Sequence, residues 1–219
     1  MSSTPSRSIA KSYTRGEEIA NTASHGLGLL LAICGLPFLT SHAHHTGGTS
    51  AVVGAAVFGG SAILLYLAST LYHATTNPRF KAFFRLMDHA CIYLLIAGTY
   101  TPIALGVLKG GWGWTVLGTI WTLALGGLMF KAFAGHRYPR VSTFIYLAMG
   151  WLALVIIHPL WKNMAPAGLT WLFGGGLAYS FGVIFYVLDG KVRFSHFIWH
   201  MFVLGGTTCH FFAVMLYSH

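Results

Sequence analysis

The stretch AVVGAAVFGGSAILLYLASTLYH, residues 51–73, contains no Asp, Glu, Lys or Arg. A helix of this length spans about 34 Å at ~1.5 Å per residue, which is enough to cross the ~30 Å hydrocarbon core of a bilayer. Two polar side chains, Ser69 and His73, stand near its end. The stretch therefore predicts a transmembrane helix that carries a polar pair towards one membrane surface.

The rest of the chain has the same apolar character. Of its 219 residues, 55% are hydrophobic and 8% are charged, against roughly 25% charged residues in a soluble domain. The sequence therefore predicts an all-α membrane protein, a seven-transmembrane helix bundle, with a cytosolic tail at residues 1–17 and a single transmembrane domain at residues 18–219. The predicted spans are residues 22–41, 51–73, 89–108, 114–131, 141–160, 168–188 and 196–217.

The distribution of basic residues orients the predicted bundle. Cytoplasmic loops retain Lys and Arg, so the N-terminus is predicted to be cytoplasmic and the C-terminus external. The net charge of +9 is then explained by the membrane topology and by contact with lipid headgroups. It does not predict a nucleic-acid partner. Eleven of the thirteen Lys and Arg residues fall on the cytoplasmic side: Arg7, Lys11, Arg15, Arg79, Lys81, Arg85, Lys131, Arg137, Arg140, Lys191 and Arg193.

Polar side chains recur at the cytoplasmic ends of three predicted spans. Ser69 and His73 are four residues apart at the end of the second span, and His196 and His200 are four residues apart at the start of the seventh. A spacing of four places both members of a pair on one helical face, about 6 Å apart. Asp88 stands just before the third span. The five side chains are therefore predicted to lie in one layer.

Three imidazoles and one carboxylate in an apolar layer indicate a metal site, because ionisable groups inside spans are costly unless they are paired. Three neutral imidazoles suit zinc (Zn²⁺), and three protein ligands with a fourth position open to water are the pattern of catalytic zinc sites. The predicted ligands are His73, His196 and His200. Asp88 is predicted to move a proton or to orient a ligand, and Ser69 to donate a hydrogen bond to an oxyanion. A simple hydrogen-bond network of the same residues is the alternative.

A second polar face lies at the start of the first span. Glu18, Asn21 and His25 recur at i, i+3 and i+7, with Ser24 beside them. A helix start explains an acidic residue in the first turn, but Asn21 and His25 lie deeper. Because this helix also enters from the predicted cytoplasmic side, the four residues are predicted to border the same cavity.

Taken together, these motifs resemble the haemolysin III branch of the progestin and adipoQ receptor (PAQR) family, most closely its bacterial members. The pattern is ExxNxxSH from Glu18, SxxxH from Ser69, the downstream Asp88 and HxxxH from His196, with the runs EEIAN, LASTLYHA, DHACIYLLIAGTYTP and GVIFYVLDG in support. The resemblance covers residues 14–217. It implies a seven-helix bundle with zinc on the three histidines named above. It also implies a place in a wider group that includes alkaline ceramidases, in which the matching residues serve amide hydrolysis.

Two functions are predicted from this site. The first is a zinc-dependent hydrolase that acts on a lipid amide or ester near the inner leaflet, with a membrane lipid or a lipid-derived molecule as substrate. The alternative is a non-enzymatic sensor or regulator of membrane energetics or fluidity in which zinc is structural, which the resemblance to bacterial relatives also implies. A pore-forming cytolysin finds little support, because the spans are uniformly apolar. The sequence leaves the choice between enzyme and regulator open.

The predicted location is the bacterial inner (plasma) membrane, as a multi-pass protein. Small residues such as Gly54 and Gly60 predict close helix approach, and they leave a homodimer open. Pro102 lies within the third span and predicts a kink there, because proline cannot donate a helix hydrogen bond.

Overall fold

A computed structural model describes residues 13–108, 110–134 and 137–219. The described residues are all-α, as predicted. Of the predicted cytosolic tail, residues 1–12, which include Arg7 and Lys11, lie outside the described residues. The helices are α1 (Arg15–Ala74), α2 (Pro78–Pro102) continued by a π-helix (Ile103–Leu108), α3 (Gly110–Phe133), α4 (Pro139–Gly150), a 3-10 turn (Trp151–Leu154), α5 (Ile157–Asn163), α6 (Pro166–Leu188) and α7 (Ser195–Tyr217).

The first helix, α1, is folded back on itself as a hairpin. In a straight helix Asn21 and His73 would be about 78 Å apart at ~1.5 Å per residue, yet Asn21 Nδ2 lies 3.4 Å from His73 Nδ1. The turn is at Gly48, whose φ of 70° and ψ of −158° are not helical and which glycine adopts without strain. The sequence predicted a loop between residues 41 and 51. In the structure these residues are helical except at Gly48, where the chain turns back.

Large apolar side chains cover the outside of the bundle. Phe38, Phe144 and Trp161 expose 69%, 72% and 71% of their surface. Apolar surface of this kind is stable in contact with lipid and unusual in contact with water. By length and composition, five of the described helices could cross a membrane, and the bent pair of α4 and α5 would make a sixth if it counts as one span. In this count α1 is a single helix.

Two of the predicted spans are irregular. The helix α2 ends at Pro102 and the chain continues with π geometry, because proline removes one N–H donor from the helical ladder. The irregularity expected at Pro102 thus takes the form of a change in helix type. The predicted fifth span is broken between α4 and α5, which bend by 50°.

The packing of α1, α2 and α7 determines where the polar residues meet. The helix α1 packs against α2 and α7, and α6 packs against α7. A core cluster that includes Phe58, Leu95 and Val203 contains residues of α1, α2 and α7. This core holds the polar ends of the three helices next to one another.

Local sequence determines where α1 begins. Thr14 caps the helix, because its Oγ1 accepts from the Glu17 backbone N–H while Glu17 Oε2 accepts from the Thr14 N–H at 2.9 Å. Glu17 Oε1 accepts from the Phe194 backbone N–H at 3.0 Å. The Phe194 N–H first, and then the Thr14 donors, hold the pKa of Glu17 below its usual range. The cap therefore also ties the start of α1 to the start of α7.

Two glycines of α1 that are alike in the sequence have different surroundings. A Cβ at Gly54 would lie 2.6 Å from Pro102 Cα on α2, whereas a Cβ at Gly60 would meet nothing within 4 Å. Gly54 is therefore a point of close approach between two helix backbones. The close packing predicted for both glycines does not extend to Gly60.

Gly54→Ala is expected to destabilise the bundle by about 1–3 kcal/mol, because the α2 backbone must move to admit a methyl group. Gly60→Ala is the matched control and is expected to be neutral or slightly stabilising, because alanine is the better helix former. Thermal unfolding of both variants beside the wild type, in detergent, checks this. Equal midpoints for the two variants would contradict the close approach at Gly54.

Candidate metal centre

Three buried histidines lie close together where the last turn of α1 packs against the start of α7. His73 comes from the last turn of α1, and His196 and His200 come from the first two turns of α7. One ring nitrogen of each lies within 4.8 Å of the other two. The residues are 3%, 5% and 1% exposed, respectively. The structure therefore brings together the three histidines that the sequence predicted as ligands.

Hydrogen bonds determine which ring nitrogen of His73 carries the proton. Glu18 Oε2 lies 2.7 Å from His73 Nδ1, and an ionised carboxylate only accepts. Lys81 Nζ lies 2.8 Å from the other carboxylate oxygen and favours the ionised form of Glu18. Nδ1–H of His73 therefore donates to Glu18, and Nε2 is left as a buried lone pair without a hydrogen-bond partner.

The two histidines of α7 are fixed in the same way. Asp189 Oδ2 lies 3.1 Å from His196 Nδ1, so Nδ1–H donates to Asp189, and Nε2 is again buried without a partner. Ser24 Oγ donates its only proton to the Asn21 carbonyl at 2.9 Å. It lies 3.0 Å from His200 Nδ1 and must therefore accept from the Nδ1–H of that ring.

Each of the three imidazoles thus keeps an Nε2 lone pair. A buried polar atom without a partner costs about 1–3 kcal/mol, and the Nε2 atoms of His73 and His196 are both in this position. One metal ion would satisfy the three lone pairs together. Histidine ligands commonly donate their other N–H to a carboxylate or another oxygen, which is the arrangement present here. The donor set therefore fits a metal ion.

The polar face predicted on the first span borders this site. Glu18 and Ser24 accept from histidines of the cluster, and the Asn21 amide lies against His73. His25 stacks on His200, with ring centroids 3.5 Å apart. All four residues therefore lie around the cluster.

An elongated cavity extends from the cluster into the bundle. Its wall beside the cluster includes His25, Asp88, His196 and His200. From Asp88 it follows α2 as far as Ile103, about 22 Å at ~1.5 Å per residue. Most of the remaining lining side chains are apolar and come from α2, α4, α5, α6 and α7. The histidine cluster therefore lies at one end of a long apolar cavity.

The two residues predicted to act on a substrate occupy different positions. Asp88 lines the cavity, and its Oδ2 lies 3.8 Å from His89 Nδ1. Ser69 is fully buried, and its hydroxyl is hydrogen-bonded to His25 Nδ1 at 2.7 Å. Asp88 therefore lines the cavity directly, whereas Ser69 is connected to it through both the Asp88 carboxylate and the His25 ring.

Two residues around the cluster, Asp189 and Tyr13, are absent from the sequence prediction. Asp189 follows α6, where an acidic residue is typical of a loop. It is, however, one of only four acidic residues in the chain, and this scarcity could have marked it as a candidate. Tyr13 OH donates to Asp189 Oδ2 at 2.7 Å. Burial, together with the Asp189 carboxylate, raises the pKa of Tyr13, so the phenol keeps its proton. No sequence pattern indicates Tyr13.

Residues 13–211 match the family described as Haemolysin-III related. The chain belongs to this family. It is 49% identical to Hemolysin-3 of Bacillus cereus over 92% of this chain and 91% of that protein, and 48% identical to the Hemolysin-3 homolog of Bacillus subtilis (strain 168) over 94% and 96%. It is 30% identical to the human Monocyte to macrophage differentiation factor over 74% of this chain and 69% of that protein. No solved structure matches the chain.

Membership of the Haemolysin-III related family confirms the resemblance seen in the motifs. Together with the apolar helices, it also confirms the predicted location: this is a multi-pass integral membrane protein of the bacterial inner (plasma) membrane.

Glu18→Gln and Asp189→Asn are each expected to weaken metal binding about 10- to 100-fold, because each removes the carboxylate that orients a histidine. His158→Ala, which changes an exposed histidine of α5 away from the cluster, is the control. Competition with a chelating dye measures the affinities. Wild-type affinity in both carboxylate variants would show that these contacts do not orient metal ligands.

Proposed function

We propose that this protein is a zinc-dependent hydrolase that acts on a lipid amide or ester. The observation that carries the proposal is the position of the histidine cluster, at one end of an apolar cavity whose wall also contains Asp88. A lipid hydrolase needs a polar reacting centre and an apolar space for the acyl chain. Here the two are adjacent.

The proposed zinc ligands are the Nε2 atoms of His73, His196 and His200. Bound zinc would polarise a carbonyl and lower the pKa of a bound water towards ~7. Asp88 accepts the proton of the attacking water, because its carboxylate lines the cavity beside the cluster. Ser69 acts through the two cavity residues that it contacts, Asp88 and His25, and the Nε2 of His25 is buried without a partner.

The cavity supports a lipid as the substrate. One leaflet of a ~30 Å hydrocarbon core is about 15 Å deep, and a cavity whose lining follows α2 for about 22 Å is long enough to lie along an acyl chain that spans a leaflet. Its apolar lining offers such a chain an environment like that of the bilayer. The substrate is proposed to enter sideways from the inner leaflet.

Seven membrane crossings and a cytoplasmic N-terminus are part of the proposal. The fold-back of α1 at Gly48 supports two crossings for α1, and the bent pair of α4 and α5 is taken as one. With α2, α3, α6 and α7 this makes seven. The distribution of Lys and Arg supports the orientation, which places the histidine cluster near the inner leaflet.

A regulator of membrane energetics or fluidity with a structural metal is the second candidate. The observation in its favour is that the contacts around the cluster join separate parts of the fold. The bond between Glu18 and His73 connects the two halves of α1, and the bond between Ser24 and His200 connects α1 to α7. A metal in this place would hold the helices of the bundle together. Asp88 would then only help to position a histidine ligand.

About one zinc ion per chain is expected in the detergent-purified wild type. His73→Ala and the double variant His196→Ala/His200→Ala are expected to lose it, because each removes ligands. His158→Ala, which changes an exposed histidine of α5, is the control and is expected to retain it. Mass spectrometry of the metal content checks this. A folded wild type without zinc would sink the hydrolase proposal.

Asp88→Asn is expected to keep its zinc and to hydrolyse lipids about 10²- to 10⁴-fold more slowly, the usual loss when a general base is removed. Cys91→Ala, one turn further along α2, is the matched control for a buried substitution. Turnover of lipid amides and esters in mixed micelles is measured beside the zinc content. Full activity in Asp88→Asn would assign Asp88 a supporting role. A zinc-loaded wild type that cleaves none of these lipids would favour the regulator.

A further inference from the structure

The ring of Tyr13 lies over two of the three clustered histidines. Its centroid is 5.5 Å from that of His73 and 5.2 Å from that of His196. Tyr13 precedes α1 and is not part of any transmembrane helix. An aromatic ring from outside the bundle thus covers the cluster at the end where α1 begins.

The hydroxyl of the same tyrosine binds the carboxylate that orients one histidine. Asp189 Oδ2 accepts from Tyr13 OH at 2.7 Å and from His196 Nδ1–H at 3.1 Å. Two donors on one oxygen restrict the rotation of the Asp189 side chain. The orientation of the His196 ring therefore depends on Tyr13 as well as on Asp189.

The segment that carries Tyr13, residues 13–17, is itself anchored at its other end. We call this segment the strap. The capping box between Thr14 and Glu17 sets its backbone, and Glu17 Oε1 accepts from the Phe194 N–H at 3.0 Å. Phe194 has a φ of 57°, unusual for a residue other than glycine, so the N–H that meets Glu17 belongs to a constrained turn. The strap is therefore bound to the α6–α7 connection at both of its ends, through Asp189 and Phe194.

The cavity reaches the cluster from another direction. Its lining includes His196, His200 and Asp88 and continues along α2, whereas Tyr13 is not among the residues around it. The strap and the cavity thus approach the histidines from different sides. A ligand in the cavity would not need to displace the strap.

We propose that Tyr13 is a positioning residue that orients His196 through Asp189, and that the strap closes the metal site against water on this side. The proposal deepens, and rests on, the proposed metal-dependent function. Closure on the strap side leaves the apolar cavity as the route for the organic substrate, and it slows the loss of the metal to the aqueous phase. The inference gives the segment before α1 a function at the site.

Three substitutions separate the two roles of Tyr13. Tyr13→Phe keeps the ring over the histidines and removes the bond to Asp189, whereas Tyr13→Ala removes both. Tyr138→Phe changes an exposed tyrosine of the chain, 47% exposed, and serves as the control. Each purified protein is loaded with cobalt(II), whose visible spectrum reports the geometry of its ligands. The affinity for cobalt(II) and the rate of its release to excess EDTA are then measured.

Tyr13→Phe is expected to shift the cobalt spectrum and to weaken binding about 10-fold, the lower end of the range for a lost supporting contact. Tyr13→Ala is expected to release the metal several-fold faster than Tyr13→Phe. A wild-type spectrum and affinity in Tyr13→Phe would overturn the positioning role. Equal release rates in the two Tyr13 variants would overturn the closing role.

Hydrogen exchange of the metal-free proteins distinguishes failure of this inference from failure of the proposed function. If the strap holds the α6–α7 connection, amides of residues 189–196 exchange faster in Tyr13→Ala than in the wild type and the Tyr138→Phe control. Unchanged exchange would overturn the strap. If the wild type binds neither zinc nor cobalt(II), the proposed function fails, and faster exchange in Tyr13→Ala would still support the strap as the segment that orders His196.

Discussion

The arrangement of the site depends on one constraint, which is that a buried imidazole must place its N–H on an acceptor. His73, His196 and His200 lie in an apolar bundle, where no bulk water can accept from them. Glu18, Asp189 and Ser24 meet this need, one for each ring. Once each Nδ1–H is engaged, each Nε2 is left as a lone pair, and the rings form a donor set for a metal. The acceptors therefore determine which nitrogen of each ring keeps a lone pair.

These acceptors also explain which parts of the chain must be close together. Glu18 and Ser24 lie at the start of α1 and His73 lies at its end, so α1 has to turn back on itself, as it does at Gly48. Asp189 lies in the connection that leads into α7, close in sequence to the histidine that it orients. The fold-back of α1 and the short connection between α6 and α7 are thus direct requirements of the cluster.

The chain has few acidic residues, and each has an identifiable contact or position in the structure. The chain has four. Glu18 and Asp189 orient histidines, Asp88 lines the cavity, and Glu17 binds the Phe194 backbone. A carboxylate is costly inside a membrane protein unless it is paired, so few are expected without a partner. The cavity beyond Asp88 is mostly apolar, so it has a polar end beside the histidine cluster and an apolar remainder.

The sequence by itself determined the helical class, the membrane location, the family and the three histidines, because hydrophobic length and the i, i+4 spacing are local properties. It also indicated Glu18, Asn21, Ser24 and His25, since polar residues are conspicuous within an apolar span. Only the tertiary structure decided that Asp189 and Tyr13 belong to the site, that Ser69 reaches the cavity through Asp88 and His25, and that Gly54 but not Gly60 contacts a neighbouring helix. These features depend on contacts between residues that are distant in the chain, and no local pattern encodes such contacts.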